Sequence, residues 1–300
     1  MTAWGGVIAI LFSKLTTYIM FLLFDIGGTK MRIAVGGREE IVGTPVIMPT
    51  PASYEEGIEL LTKTANDLSG GKGKIKAVVG GLAGAFDRQH SMIMAGSNIS
   101  SWIGKPVKKM LEHAFQVSVQ LENDAALGGL GEAVAGAGKD YEIVAYITVS
   151  TGVGGARITG KTIDRHVFGF EPEYQIIDFD GSSCTRCSKH NLGAHISGKG
   201  IEEHYGKKGE ELDDPAIWED ITAALAIGLT NTIVHWSPDI VVLGGSVMQR
   251  ISIERVRELI GEALHVYPEL PAIERAQLGD RAGLEGALQI ARKLDIIRVT

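Results

Sequence analysis

A chain of 300 residues that is 45% apolar and 22% charged can bury a sizeable core, and its length favours two domains over one. A formal net charge of -7 with no long basic run excludes a polyanion groove and non-specific nucleic-acid binding, leaving a small molecule as the expected ligand. The two cysteines, Cys184 and Cys187, cannot make a disulfide scaffold, so they indicate a reducing, cytoplasmic setting with metal binding, redox chemistry or no chemistry at these thiols.

Residues 1–19 differ in texture from the rest. Their apolar run GGVIAILF is too short to span a bilayer and lacks the basic leader of a secretory signal, so no membrane association is expected. The segment reads as an extension, unstructured or artefactual, too short to hold a helix-turn-helix reader with its own core. The functional chain begins at Met20.

From there strand-like and helix-like stretches alternate. FLLFDIGG is a buried-strand run ending in a turn, MRIAVGG and EIVGTPVIM continue as strands, and SYEEGIELLTKTANDLSGG turns helical. In that helix Ser53 and Glu56 have capping-box spacing, Ile58, Leu61, Ala65 and Leu68 recur near period 3.6, and SGG stops it. IKAVVGGLAGAFD and VSVQLEND read as further buried strands ending in small or acidic residues, where a ligand sits beside a sheet's carboxyl edge. The organisation then repeats: EIVAYITVSTGVGGARI is a strand, a Gly-rich turn and a strand, and PAIWEDITAALAIGLTNTIVHW is a long helix started by Pro215 behind Asp213 and Asp214. SPDIVVLGGSV is the last buried strand and GLEGALQIARKL the closing helix. The expected architecture is two similar α/β halves with a cleft between them.

The chemistry concentrates in the turns. DIGGTK, Asp25 to Lys30, sets a carboxylate at a strand end before two glycines, a hydroxyl and a lysine. Glycines let backbone N–H groups approach phosphate oxygens, Thr29 adds a hydroxyl donor, and Asp25 can hold a Mg²⁺-bound water facing those phosphates; a plain Gly-Gly hairpin would look similar in isolation. STGVGGA, Ser150 to Ala156, follows a strand in the same way, without the spacing of a P-loop or of a Rossmann fingerprint. A third turn, Leu243 to Val247, could approach a nucleoside. Asp124 in LENDA falls where a strand runs into a helix. There it reads as an N-cap carboxylate kept ionised by the helix dipole, and equally as the base that phosphoryl transfer to an alcohol requires.

DIGGTK, ENDA, STGVGGA, DIVVLGGSV and LGDRAGLEGAL, in this order, resemble the ROK family of sugar kinases and related repressors, within the actin-like ATPase superfamily. The resemblance covers residues 20 to 295. It implies two actin-like (ribonuclease H-like) α/β domains with a central cleft: residues 20–122 plus 284–300 in the first, 123–283 in the second. It implies ATP-dependent phosphorylation of a hexose hydroxyl, glucokinase-like, with ATP, Mg²⁺ and a sugar as partners and a homodimer as the assembly. Asp25, Gly27, Gly28, Thr29 and Lys30 would line the first phosphate loop, Thr151, Gly152 and Gly154 the second, and Gly244 and Gly245 the adenosine side. Asp124 becomes the catalytic base, with Asn98, Asn123, Asp124, Glu171 and Tyr174 on the sugar side. Two departures stand out. In the stretch resembling the family's GExGH motif, Glu173 replaces the second glycine and Tyr174 the histidine, and Gly193 falls where a sugar-binding glutamate is expected. The family's structural zinc is matched at one ligand position; a shifted set of Cys184, Cys187, His190 and perhaps His195 keeps a spacing acceptable to Zn²⁺. Against the kinase stand a non-catalytic sugar- or nucleotide-binding protein with a degenerate pocket, and a ROK-type transcriptional regulator.

Overall fold

The computed structural model describes residues 20–70, 75–96, 99–178 and 190–299. The extension over 1–19, together with Asn98, Cys184 and Cys187, lies outside the described residues.

The chain opens with β1 (Met20–Ile26), β2 (Lys30–Gly36) and β3 (Ile41–Pro49), an antiparallel meander, followed by α1 (Tyr54–Ser69). As the cap spacing predicts, Ser53 Oγ accepts the Glu56 N–H at 3.1 Å, and Gly70, at φ +66°, ends the helix in the left-handed region that glycine tolerates best. β4 (Ile75–Leu82) pairs parallel to β1, and β7 (Ser118–Asn123) parallel to β4, giving the sheet order β3-β2-β1-β4-β7. Between them lie the small hairpin β5 (Ala85–Phe86) and β6 (Ile93–Ala95), and α2 (Val107–Phe115). β1 is buried on both faces, which is why it reads as an unbroken apolar run.

Helix α3 (Asp124–Ala135) leads into a second sheet built on the same plan: β8 (Ile143–Val149), β9 (Val153–Thr159) and β10 (Thr162–Ile163) as the meander. After α4 (Leu192–Ile196), α5 (Gly198–Tyr205) and α6 (Pro215–Trp236), β11 (Ile240–Gly244) joins parallel to β8. α7 (Ile253–Ala263) precedes β12 (Ala272–Arg275), and α8 (Ala282–Val299) closes the chain. The order β10-β9-β8-β11-β12 repeats that of the first sheet. β12 is a strand beyond β11, which the sequence reading took as the last. Only Ile273 in it is buried, so four residues carry too little apolar pattern to be recognised.

Helices α3 and α8 join the halves. Leu127 of α3 and Leu284, Ala287, Leu288 and Ala291 of α8 cover Phe21, Leu23 and Val79 of the first sheet. On its other side α3 packs Ala126, Leu130 and Ala133 against Val144, Tyr146 and Val242 of the second. The two helices cross backbone to backbone: a Cβ at Gly131 would run into the Ala282 carbonyl, and one at Gly286 into the Leu127 carbonyl. Glu132, fully buried on α3, is held by backbone N–H groups, with Oε1 accepting from Gln277 and Leu278 at 2.9 and 2.8 Å and Oε2 from Ala137 at 3.0 Å. No helix among the described residues is long and apolar enough to cross a membrane.

Candidate active site

Sheet register brings the first turn's charges together. Asp25, near the carboxyl end of β1, is flanked by Arg32 on β2 and Gly81 on β4. Its Oδ2 accepts from Arg32 Nη1 at 3.1 Å, while Oδ1 is buried without a hydrogen-bond partner. Arg32 also reaches Asp280, just before α8, through Nε at 3.0 Å and Nη2 at 2.6 Å; Lys30 Nζ lies 3.3 Å from the other oxygen of Asp280. Burial pushes the Asp25 carboxyl up to about 7, helped by the nearby Asp124 and Asp280 carboxylates and opposed by Arg32. Asp280 is held low, chiefly by its hydrogen bonds from Arg32. The turn is closed by Gly27 N–H donating to the Lys30 carbonyl at 3.0 Å, and braced by Thr50, whose hydroxyl donates to the Gly27 carbonyl at 2.7 Å and whose N–H donates to the Thr29 carbonyl at 3.0 Å. Gly28, Thr29 and Lys30 are exposed along its rim.

Asp124 enters the same space from β7. A Cβ at Gly81 would sit 3.3 Å from Asp25 Oδ1 and 3.2 Å from Asp124 Cα, so the two acids share the room left by this glycine. The cap of α3 is Asn123 rather than Asp124: Asn123 Oδ1 accepts the Ala126 N–H at 3.1 Å, and Nδ2 donates to the Gly84 carbonyl at 3.2 Å. Asp124 is the first helical residue, its Oδ1 accepting from the Ala125 N–H at 2.9 Å. Burial raises its carboxyl above the usual range, against the pull of that hydrogen bond and opposite to the expectation drawn from the helix dipole alone.

The second turn carries no charge of its own. Ser150 N–H donates to Gly152 O at 2.9 Å, and the carbonyls of Ser150 and Thr151 accept from the α5 N–H groups of Gly198 and Lys199 at 2.7 and 3.2 Å. Val153 N–H donates to Glu173 Oε2 at 3.0 Å. Thr151 is exposed, and Gly154 lets the turn approach Ala125 of α3, whose Cβ would stand 2.8 Å from a Cβ there. At the third turn, Gly244 allows the Tyr146 hydroxyl to approach and Gly245, at φ +94°, presses on the Val149 carbonyl. Their glycine character follows from packing on β8, with Gly245 and Ser246 exposed beyond it.

A sequence model of the ROK family matches residues 22–294. The chain belongs to the ROK family. It is 27% identical to a glucokinase of Streptomyces coelicolor, over 91% of this chain and 98% of the relative, and 28% identical to an N-acetyl-D-glucosamine kinase of Citrobacter koseri, over 89% and 98%. A ROK hexokinase from Thermus thermophilus superposes with a TM-score of 0.80 at 28% identity, over 93% of this chain and all of that one. The doubled sheet is thus the actin-like two-domain fold.

The stretch expected on the sugar side departs from the ROK pattern. Glu171 is exposed, its carboxyl pushed up to about 7 by partial desolvation and by the carboxylates of Glu173 and Asp124. Tyr174 is 65% exposed and stands outside the core. Glu173 fills the space over Gly193, where a Cβ would overlap its side chain. His190 is exposed, its carbonyl accepting from Ile177 N–H, and His195 is buried with Nε2 3.9 Å from Asp178. Among the described residues no group of three His, Cys, Asp or Glu is placed to hold a metal, and the two thiols of the shifted zinc set fall outside them.

A ladder of rings that sequence reasoning missed links the two halves. Phe86 stacks on His90 at 5.4 Å, His90 meets His166 at 5.8 Å, His166 meets Phe170 at 5.7 Å, and Phe170 meets Trp236 at 5.0 Å. Arg88 lies 5.7 Å over Phe168 beside it. Arg32, Asp280 and Thr50 were missed as well, and Glu173 was seen only as a departure from the family pattern. Asp280 sat inside a quoted motif, LGDRAGLEGAL, which was the one signal available.

Proposed function

We propose that this ROK protein is an ATP-dependent hexose kinase, glucokinase-like in reaction, moving the terminal phosphoryl group of ATP to a sugar hydroxyl. The observation that carries the reading is the convergence of two carboxylates, the buried Asp25 and the half-buried Asp124, over Gly81 between two Gly-rich turns. Its relatives named as glucokinase, hexokinase and N-acetyl-D-glucosamine kinase support the same class.

In this mechanism Asp124 accepts a hydrogen bond from the sugar hydroxyl, aligns its oxygen for attack on the terminal phosphorus, and takes the proton as the bond to ADP breaks. A raised carboxyl suits that role, because the proton must be held while the phosphate ester forms. Backbone N–H groups of Gly28 and Thr29 on one side, where Gly27 lines the turn with its own N–H held by the Lys30 carbonyl, and of Thr151, Gly152 and Gly154 on the other would face the charge spreading over the transferred group. Lys30 stands at the rim of the first turn, and Gly244 and Gly245 border the adenosine. Asp25 fits a Mg²⁺ site: its Oδ1 is a buried carboxyl oxygen without a hydrogen-bond partner, and Mg²⁺ is usually held by one or two carboxylates plus phosphates and waters. The ion would supply neutralisation of phosphate charge. Glu171, Asn98, Asn123 and Tyr174 form the sugar side, with Asn123 confined to the amide hydrogen it does not spend on Gly84. The moving bodies are residues 20–122 plus 284–300 and 123–283, and the ring ladder between them excludes water when they meet.

The test is coupled ADP release with glucose, fructose, mannose, galactose and the N-acetylhexosamines, with and without Mg²⁺, for wild type and Asp124→Asn. Sugar-dependent turnover that vanishes in the variant while ATP binding persists supports the kinase. Binding of sugar and nucleotide without turnover anywhere in the panel supports the non-catalytic protein instead.

A further inference from the structure

The second turn is gripped from two sides. Helix α5 takes the carbonyls of Ser150 and Thr151, and the Glu173 carboxylate takes the N–H of Val153 at 3.0 Å. Val153 is buried, and so is Pro172, which lies against Gly155, where a Cβ would stand 2.8 Å from the proline ring. The Glu173 bond is therefore shielded on its protein side. Its side chain runs through space that exists because residue 193 is glycine: a Cβ there would overlap Glu173 Cγ and come within 2.9 Å of Oε1. A carboxylate at 173 and a missing side chain at 193 are thus one feature, and they stand where the family pattern places a glycine and a glutamate.

We propose that Glu173 is the positioning residue of the second phosphate turn, seated in the room Gly193 vacates and tying the segment Glu171–Tyr174 to the Val153 backbone. The proposal rests on the kinase reading only for the identity of the ligand, an adenine nucleotide. In the full-length protein, calorimetric titration with a non-hydrolysable ATP analogue and Mg²⁺ tests it without requiring turnover. Glu173→Ala is expected to weaken binding about 3- to 10-fold, the worth of one hydrogen bond, with the fold retained. Glu173→Gln, which keeps an acceptor for Val153, should stay within about threefold. Gly193→Ala should weaken binding in the wild-type background and have no effect in a Glu173→Gly background, since neighbours that share one space are non-additive. Wild-type affinity in Glu173→Ala, or the same Gly193→Ala effect in both backgrounds, overturns the proposal. If Glu173→Ala loses affinity while no sugar in the panel releases ADP, the kinase reading fails and this one stands. A wild type that does not bind the analogue overturns both.

Discussion

The two Gly-rich turns occupy equivalent places in two sheets of the same topology, yet they are built from different materials. The first is surrounded by full charges, with Asp25, Arg32, Lys30 and Asp280 within hydrogen-bond reach of one another. The second has no charged residue between Ser150 and Gly154 and is fixed through its backbone by α5 and Glu173. On the proposed kinase reading, duplicated topology supplies two places for a phosphate, and local side chains divide the labour: one turn manages charge and protons, the other supplies shape.

Substitutions that discharge the first turn should therefore differ in kind from those that deform the second. The largest effect belongs to Asp124→Asn, which removes the base and should lower kcat by on the order of 10²–10⁴ with nucleotide affinity retained. A residual rate near wild type would remove Asp124 from the chemistry. Next comes Gly245→Ala beside the second turn. At φ +94° and against the Val149 carbonyl, it should cost about 1–3 kcal/mol in denaturant unfolding, and nucleotide affinity should fall with it. No loss of stability would mean that the backbone there relaxes freely.

A smaller effect separates the turns by pH. If ionised Asp25 is required, kcat/KM should fall as pH drops below about 7. Arg32→Gln removes the one cation lowering that carboxyl and should move the acid limb upward by about one unit. Substitution of Thr151 should leave the limb in place. The smallest effect is on ligand-free stability. A carboxyl raised from 3.8 to about 7 binds its proton on folding, so its contribution is fully present below pH 3.8 and is lost as pH rises through about 7. Asp25→Asn should flatten that part of the stability profile and raise the melting temperature at pH 7.5. An unchanged slope would place the raised pKa elsewhere.

Local pattern made half of this legible. β1, β4, β8 and β11 are apolar runs, and Asp25 near the end of β1 and Asp124 just after β7 announce themselves by standing at strand ends. The cap of α3 was read one residue late because Asn123 and Asp124 are both good caps, and only the strand's exit angle chooses between them. What stayed hidden joins distant residues. Arg32 and Asp280 lie 248 positions apart, and the ring ladder draws on β5, the loop after β10 and the end of α6. The exchange between Glu173 and Gly193 could be seen in the sequence only as two separate departures. A side chain filling the room of an absent one has no periodicity to betray it.

The crossing of α3 and α8 also bears on how the chain is made. Leu284, Ala287, Leu288 and Ala291 cover the face of β1 and β4, but they follow β7 only after the whole second sheet. At ordinary translation rates the ribosome needs roughly ten to thirty seconds between completing β7 and completing α8. During that interval Phe21, Leu23 and Val79 have only Leu127 of α3 to cover them. The first sheet is therefore fully covered only after the second has been made, and the nascent chain must keep this apolar face from other partners until α8 arrives.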